Sequence, residues 1–445
     1  MKFTRRSFFR QTLVAGPAAM TFWTDMGNAW AQDQCTLAQP DAAEPFVPNE
    51  PKVQPRYSAL EMKTRPELAK FRDAFCKIRA LPSTDVIGWD KQIAQHCLHC
   101  SPPPGVGTTN IHYTWAFLPW HRGLLYFLER ILRNLSQNDD FRLAYWDWEN
   151  THSRTLPAIY GVQSPNCLYW QKRQTTGSNW PLPSAKVDVS ALLATPTFSA
   201  FGGSLNQGGA TYSGPHANVH NAFAPGDMGN LMYSPRDPVF YAHHGNIDRL
   251  WSSWVKAGHS NVDFGDTKAY FYDENRKWRS ILFNDLRDET KLGYRYSSYM
   301  GTAVPAPKLH TFTTTMNEGV RHVEAAAVAE IAKAKGPRFL IVEGISNLGD
   351  LPPDTLNFGI FAGHPAAGTQ SGSDKRFLGQ IATVNSEGHN HLGVTAAALN
   401  VTGKLPGLLK TNKGGLDLTI APLDDSGKTT AAGIPIAAAN VSIVE

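Results

Sequence analysis

The chain has 445 residues, of which 42% are hydrophobic and 18% are charged. This composition is typical of a globular protein and excludes a disordered, collagen-like or coiled-coil chain. Basic residues exceed acidic ones by only four, which gives no indication of a nucleic-acid-binding or acidic-membrane-binding surface. At about 150 residues per domain, the length predicts two or three domains.

Residues 1–31 are interpreted as a targeting signal. Arg5 and Arg6 precede two phenylalanines, a weakly apolar region follows, and the triplet at 29–31 has the form of a cleavage site. The pattern is similar to a twin-arginine export signal, with a basic amphipathic anchor as the alternative. We therefore expect a twin-arginine translocase as a transient partner and a periplasmic or secreted mature protein without a stable membrane anchor. Disulfides form in such a compartment.

Residues 32–300 are predicted to form a mainly helical domain. Apolar residues recur with the 3.6-residue period of an amphipathic helix at 65–80, 118–135 and 237–256. The last of these stretches has a clear start signal, because Asp237 is a good N-cap residue and Pro238 suits the first helical position.

The pattern of apolar and turn residues changes after residue 300. Residues 301–335 are predicted to be a linker, since two prolines and a threonine run precede a stretch suited to a short helix. Residues 336–445 are predicted to form a small antiparallel β-sandwich, because short apolar or alternating runs are separated by turn residues. These runs lie at 339–342, 356–361, 377–384, 416–420 and 441–444.

Histidines of the first domain carry the chemistry. His216 and His220 are four residues apart, so on a helix they lie on one face and can share a metal ion. His243 and His244 follow on the predicted helix 237–256, where neighbours cannot both point at one site. One of them is therefore a candidate ligand, and the other packs or hydrogen-bonds. A second group lies upstream and comprises His96, His112 and His121.

Donor sets made only of imidazoles favour copper or zinc. A zinc hydrolase with three histidine ligands and an open position is one alternative, and ordinary core or surface histidines are another. Cys97 and Cys100 have the spacing of a redox or zinc motif, but no second cysteine pair supports that function.

Two longer runs favour copper. Residues 237–249, with the sequence DPVFYAHHGNIDR, closely resemble the second copper motif of the tyrosinase and polyphenol oxidase family. Residues 117–122, FLPWHR, resemble the first copper motif. Residues 263–296 look like the segment that follows the copper domain in plant-type members, and the tail from residue 338 is more loosely similar to their C-terminal domain.

The resemblance implies a helical-bundle type-3 dicopper domain with two copper ions. The implied ligands are His96, His112 and His121 for one ion, and His216, His220 and His244 for the other. His243 falls beside a ligand position. Dioxygen accepts two electrons, and two Cu(I) ions can each supply one. The implied activity is therefore oxidation of o-diphenols to o-quinones. Hydroxylation of monophenols, the tyrosinase activity, is a second activity of the family. The alternative to an enzyme is a dioxygen carrier of the haemocyanin kind.

The resemblance also implies two covalent links. In plant-type members a thioether joins a cysteine to a copper ligand, which corresponds here to Cys100 and His112, and a disulfide corresponds to Cys35 and Cys97. We expect the remaining cysteines, Cys76 and Cys167, to be buried thiols rather than bonded partners.

Asp248 lies one turn after His244, and we expect it to hydrogen-bond and orient the imidazoles. The alternative for Asp248 is an ion pair on the helix face, with Arg249 or a nearby lysine.

The substrate pocket departs from the family pattern. Members that hydroxylate monophenols have an Asn and a Glu at the positions that hold Ala217 and Tyr212 here, and Asn221 is not assumed to replace that Asn. Leu231 lies in the segment where plant-type enzymes often place a bulky Phe, so the pocket is expected to be more open. Diphenol oxidation is therefore expected to exceed monophenol hydroxylation.

The C-terminal domain is expected to shield the site until the linker is cut. A permanent stabilising domain is the alternative.

Overall fold

The computed structural model describes residues 35–100, 111–161, 165–177, 179–301, 308–314, 320–352, 355–385, 393–438 and 440–445. The targeting signal predicted at 1–31 lies outside the described residues. Among the helices of the described part, none has the length and apolar character needed to cross a membrane.

Helices dominate the first domain, as predicted. The α-helices of the described residues are α1 (Ala59–Met62), α2 (Leu68–Arg79), α3 (Trp89–Cys100), α4 (Phe117–Ser136), α5 (Ala158–Gly161), α6 (Ser190–Leu193), α7 (Phe198–Gly202), α8 (Ala217–Ala222), α9 (Val239–Lys256), α10 (Ala325–Lys333) and α11 (Leu405–Thr411). The two long helices α4 and α9 are buried over most of their length. Their apolar side chains therefore form the centre of the core, and both helices carry predicted ligands.

The start of α9 differs from the prediction by one residue. The helix begins at Val239, and Pro238 rather than Asp237 is its N-cap residue. Asp237 still contributes to the start, because its Oδ1 accepts a hydrogen bond of 3.0 Å from the backbone N–H of Val239. Asp237 also forms a buried ion pair with Arg173.

Short strands support the helical domain. They are β1 (Glu44–Pro45), β2 (Gln54–Arg56), β3 (Gly203–Ser204), β4 (Gln207–Gly208), β5 (Lys268–Tyr272), β6 (Trp278–Leu282) and β7 (Tyr294–Tyr296). The strands form sheets in the orders β1-β6-β5, β2-β7 and β3-β4. The segment after α9 therefore returns to pair with the N-terminal part of the domain.

The described part of the C-terminal region forms two antiparallel sheets. Its strands are β8 (Leu309–Thr311), β9 (Thr313–Thr314), β10 (Val320–His322), β11 (Phe339–Ile345), β12 (Asn357–Ala362), β13 (Phe377–Ala382), β14 (Thr395–Asn400), β15 (Gly415–Leu423), β16 (Ile434–Pro435) and β17 (Asn440–Val444). One sheet has the order β14-β11-β17-β8, and the other has the order β13-β12-β15-β10-β9 with β16 also paired to β15. Apolar side chains from both sheets form one shared core. This arrangement confirms the predicted β-sandwich.

The predicted linker at 301–335 is partly wrong. Three of its segments are strands of the sandwich, since β8 pairs with β17 and β10 pairs with both β9 and β15. The short helix expected there is α10. Strand pairing across the domain, rather than local composition, determines the structure of this segment.

Candidate metal centre

The first histidine triad is brought together by three successive elements. His96 lies on α3, His121 lies on the first turns of α4, and His112 lies between the two helices. All three side chains are buried. Their ring centroids lie 5.1 to 5.4 Å apart. Imidazoles bound to one ion through bonds of about 2 Å have ring centres about 5 Å apart, so this spacing fits a shared metal ion.

The second triad combines a helical turn with a helix from farther along the chain. His216 ends the π-helical turn Tyr212–His216, His220 lies on α8, and His244 lies on α9. Their ring centroids lie 4.6 to 5.6 Å apart. Nε2 of His220 is 3.4 Å from Nε2 of His244. Two nitrogens that bind one ion at about 2 Å are separated by about this distance.

The two triads adjoin each other. The rings of His121 and His244 are stacked, with centroids 4.3 Å apart and planes inclined by 11°. The ring centroids of His112 and His216 are 6.1 Å apart. Since each triad can hold one ion, this arrangement suits a pair of ions side by side.

Hydrogen bonds orient two of the imidazoles. Nδ1 of His121 donates to the carbonyl of Phe117 at 2.7 Å, and Nδ1 of His220 donates to the carbonyl of Met228 at 2.7 Å. A carbonyl can only accept, so in each neutral ring the Nε2 atom has the lone pair. Both rings therefore present a metal-binding nitrogen to the centre.

Electrostatics keep the histidines neutral. Burial lowers the pKa of His121 to about 3 and the pKa of His220 to about 4. Burial, reinforced by neighbouring imidazoles, also lowers the pKa of His96, His216 and His244 well below the usual value. Neutral imidazole is the form that binds a metal ion, so the protonation state suits the proposed donors.

Several ring nitrogens at the centre have no protein partner. Nε2 of His121 and both ring nitrogens of His216 are buried and accept or donate no hydrogen bond among the described residues. Buried polar atoms without partners are unfavourable. Metal ions would satisfy one nitrogen on each ring, and an all-imidazole set suits copper. The residues present therefore fit a binuclear copper site.

His243 lies close to the second triad but has a different environment. Its donor atoms lie within 4.8 Å of those of His216, His220 and His244. However, the indole N–H of Trp148 donates to Nδ1 of His243 at 3.1 Å. A neutral ring that accepts at Nδ1 carries its proton on Nε2. This geometry supports a packing and hydrogen-bonding role for His243 rather than a ligand role.

Cys100 lies against the first triad. Its buried Sγ is 2.9 Å from Nδ1 of His96 and 4.0 Å from Nε2 of His112. The donor atoms of Cys100, His96 and His112 lie within 4.8 Å of one another. His121 does not belong to this group. Cys100 is a free thiol in this structure. The thioether to His112 therefore remains a prediction.

Two disulfides are present. Cys35 is bonded to Cys97, as the family resemblance implied. Cys76 is bonded to Cys167, so our prediction that both are buried thiols is wrong. These cysteines are 91 residues apart, and the loop that carries Cys167 is held near α2 because Arg79 donates to the carbonyl of Cys167 at 2.7 Å.

Asp248 does not bind the imidazoles, which corrects our expectation. Its carboxylate accepts hydrogen bonds from Arg122, Arg56, Tyr294 and Tyr296. These partners satisfy both carboxylate oxygens, so Asp248 forms a buried network beneath the site. Arg122 directly follows His121 on α4, and Asp248 lies one turn after His244 on α9, so this network supports both triads through the backbones of these helices.

The predicted pocket residues meet a segment of the C-terminal domain. Ala217 and Leu231 form a small apolar cluster with Cys100, Ala382 and Val384. Asn221 donates to the carbonyl of Thr383 at 2.8 Å, and the hydroxyl of Tyr212 donates to that of Tyr113 at 2.8 Å.

The sequence did not identify Tyr113, Thr383 or Val384 as site residues. Tyr113 follows His112 directly, and this position is the only signal that could have indicated it.

Fold and site together define a protein with a histidine-only binuclear centre suited to copper, built on a helical bundle and followed by a β-sandwich. The family model described as the common central domain of tyrosinase matches residues 86–166 and 157–257, and the polyphenol oxidase middle domain matches residues 259–306. Residues 86–257 and 259–306 therefore match models of the tyrosinase and polyphenol oxidase family.

Plant proteins are among its curated relatives. A polyphenol oxidase from Vitis vinifera is 32% identical over 347 residues, which cover 66% of this chain and 55% of that protein. The latent form of polyphenol oxidase from Prunus armeniaca is 33% identical over 288 residues, covering 54% of this chain and 47% of that protein. The chain thus spans about half the length of these relatives.

Solved structures share the fold over most of the chain. A structure of latent apple tyrosinase has a TM-score of 0.64 at 22% identity and covers 91% of this chain and 99% of that chain. A structure of recombinant latent aurone synthase, a polyphenol oxidase, has a TM-score of 0.69 at 21% identity and covers 92% of this chain and 94% of that chain.

The comparisons contradict the predicted localisation. The relatives from Vitis vinifera, Prunus armeniaca, Solanum lycopersicum and Solanum tuberosum are named chloroplastic. These names indicate plastid targeting of those relatives and contradict export by a twin-arginine pathway, so the prediction of a periplasmic or secreted protein is wrong. Basic, serine-containing N-termini with few acidic residues are common to export signals and transit peptides.

Proposed function

We propose that this protein is a copper-dependent polyphenol oxidase that uses dioxygen to oxidise o-diphenols to o-quinones. The observation that carries this proposal is the pair of adjoining, neutral histidine triads. Two copper ions held there would supply the two electrons that dioxygen accepts. The family whose models match residues 86–257 and 259–306 supports the same chemistry.

Aromatic side chains hold the imidazoles in place. The ring centroid of Phe240 lies 4.2 Å from that of His244 and 4.9 Å from that of His96. On the other side, the ring of Phe117 lies 4.7 Å from that of His216. These rings restrict the rotation of the ligands and keep water away from the centre, which strengthens electrostatic interactions there.

Oxidation of diphenols is proposed as the main activity. Ala217 has no polar side-chain atom, and the hydroxyl of Tyr212 donates to Tyr113 rather than to a water-binding carboxylate. The Asn221 amide N–H₂ donates to Thr383. None of these three groups is a carboxylate that could accept the proton of a monophenol, whereas a catechol is oxidised without a prior hydroxylation step.

The C-terminal domain is proposed to shield the centre. Val384 and Ala382 pack on Cys100, Ala217 and Leu231, beside both triads. The backbone N–H of Leu231 donates to the carbonyl of Asn385 at 2.9 Å, which fixes this segment over the site. A phenol that approaches the two triads would need the space that this segment fills, so the docked C-terminal domain would hinder access of the phenol to the metal centre.

The test is an activity panel on copper-loaded full-length protein in the presence and absence of mild detergent, with the copper content measured on the same sample. We expect 4-methylcatechol to be oxidised much faster than 4-methylphenol. Equal rates on this matched pair would contradict the proposed preference. Reversible dioxygen binding without turnover of either compound would contradict the enzymatic function.

A further inference from the structure

A chain of hydroxyl groups connects the metal centre to the C-terminal domain. The hydroxyl of Tyr212 donates to the hydroxyl of Tyr113 at 2.8 Å. The Tyr113 hydroxyl lies 3.3 Å from Oγ1 of Thr383. Residues 382–385, here called the shield segment, are therefore held by a polar contact in addition to their apolar packing.

Both tyrosines belong to the walls of the metal centre. Tyr113 follows the predicted ligand His112 directly, and the ring centroid of Tyr212 lies 5.0 Å from that of His216. The two tyrosine rings pack edge to face with centroids 4.9 Å apart. This packing fixes the position of both hydroxyls relative to the two triads.

The shield segment presents two adjacent chemical groups to the site. Val384 contributes an apolar side chain to the cluster with Cys100, Ala217 and Leu231, while the neighbouring Thr383 places an alcohol at Tyr113. A catechol with a hydroxylated side chain also combines an apolar group, which is its ring, with an alcohol.

We propose that the Tyr113 hydroxyl is a specificity-determining group that binds an alcohol on the side chain of the catechol substrate. Thr383 occupies this position while the C-terminal domain is docked. Tyr212 is a positioning residue, because its O–H donates to the Tyr113 hydroxyl and its ring packs against the Tyr113 ring. The inference rests on the proposed oxidation of catechols.

The experiment compares 4-(2-hydroxyethyl)catechol with 4-ethylcatechol, which differ by one hydroxyl group. The copper-loaded full chain is assayed at the mild detergent concentration that gives the highest diphenol oxidation. The ratio of the two kcat/KM values is measured within one protein sample, so the fraction of active molecules cancels. We expect the ratio to favour the hydroxyethyl compound, because a site that pairs with a hydroxyl discriminates against an analogue without it.

Tyr113→Phe is expected to lower this ratio about three- to tenfold, since one neutral hydrogen bond is lost. Tyr212→Phe is expected to lower the ratio less than Tyr113→Phe. Tyr270 is half-exposed, and Tyr270→Phe is the matched control that should leave the ratio unchanged. An unchanged ratio in Tyr113→Phe would contradict the inference. Failure of the unmutated protein to oxidise either catechol would contradict the proposed function instead.

Hydrogen–deuterium exchange of the intact chain provides a readout that is independent of activity. Tyr113→Phe and Thr383→Val each remove the same contact, so both should increase deuterium uptake at residues 382–385 to a similar extent, and the double variant should add little. If neither variant changes uptake there, the role of Thr383 as the occupant of this position is wrong.

Discussion

At the scale of single residues, the site depends on neutral imidazoles held by partners of two kinds. Carbonyl groups of Phe117 and Met228 orient His121 and His220, and Trp148 occupies one nitrogen of His243. The distinction between a ligand and a neighbouring histidine thus follows from the role of Nδ1. Where Nδ1 donates, Nε2 has the lone pair, and where Nδ1 accepts, Nε2 carries the proton. Sequence spacing alone left the choice between His243 and His244 open.

The buried Asp248 network is expected to be essential for stability. Asp248→Asn removes the charge that compensates Arg122 and Arg56, both of which are buried. Breaking a buried ion pair from one side costs about 3–5 kcal/mol. The free energy of unfolding, measured by chemical denaturation, should fall by about this amount. The exposed Asp266 gives the control variant Asp266→Asn, and an equal effect in both variants would contradict this account.

Long-range partners explain why sequence reasoning misjudged Asp248. Its neighbours on the helix suggested an imidazole or Arg249 as partner, whereas its hydrogen bonds reach Arg56 across 192 positions and Tyr294 across 46 positions. The copper motifs, in contrast, place their histidines by local helical spacing. Local helical spacing therefore indicated His216 and His220, and the family resemblance implied the other ligands, but neither identified the partners of Asp248.

At the scale of elements, an ion-pair cluster ties the N-terminal segment to α4. The carboxylate of Glu50 accepts hydrogen bonds from Arg130, Arg133 and Tyr126. Burial alone would raise the pKa of Glu50, but these partners outweigh it and lower the pKa from 4.5 to about 2. A carboxylate with a lowered pKa stabilises the folded state above its unfolded pKa.

The predicted consequence is a pH-dependent effect of Glu50→Gln. The variant should be less stable than the unmutated protein at pH 6, because the ionised carboxylate is lost. As the pH falls from about 4.5 toward about 2, Glu50 becomes protonated in the unmutated protein and the difference should shrink. Unfolding free energies measured across this range test the prediction, with the exposed Glu324→Gln as control. A difference that grows on acidification would contradict it.

A second prediction at this scale concerns the covalent bonds of the five cysteines. With two disulfides and a thioether, the copper-loaded protein should show no alkylated cysteine after denaturation without reductant and four after reduction. Its mass should be lower by the two hydrogens lost in the thioether. Alkylation of all five cysteines after reduction would show that Cys100 and His112 are not bonded. Labelling of more than one cysteine without reductant would contradict the disulfides observed here.

Local patterns predicted most long elements and missed those defined by pairing. Predicted helix 118–135 is observed as Phe117–Ser136, and the predicted strand 339–342 is observed as Phe339–Ile345. The strand Thr395–Asn400 was missed, because its alanine-rich sequence has a low strand propensity. It forms by pairing with β11 and by docking on the helical domain, where Ser213 donates to the carbonyl of Ala396 at 2.5 Å.

At the scale of the whole molecule, the C-terminal domain contributes to the walls of the metal centre. Asn221 and Thr383 are 162 positions apart, and no local signal indicates that they meet. The sequence predicts a β-sandwich and a shielding role for it. Which segment of the sandwich reaches the site is determined by how the two domains dock, and this is not encoded in a local pattern.

Opening the shield is expected to increase activity. Mild detergent, acid or proteolysis between residues 301 and 308 should raise diphenol oxidation several-fold if residues 382–385 hinder access. Val384→Ala should raise the activity of the intact chain, because a smaller side chain covers the centre, whereas Val323→Ala in the sandwich core should not. Loss of copper or unfolding without a rise in activity would instead indicate a permanent stabilising domain.

The copper content of the full chain tests the central claim most directly. Copper-loaded protein should contain about two ions per chain, and His243→Ala should retain both, because Trp148 donates to Nδ1 of His243 and the Nε2 atom of that ring therefore carries the proton. His244→Ala should lose at least one ion and diphenol oxidation. Two ions retained in His244→Ala and lost in His243→Ala would contradict the assignment of the site.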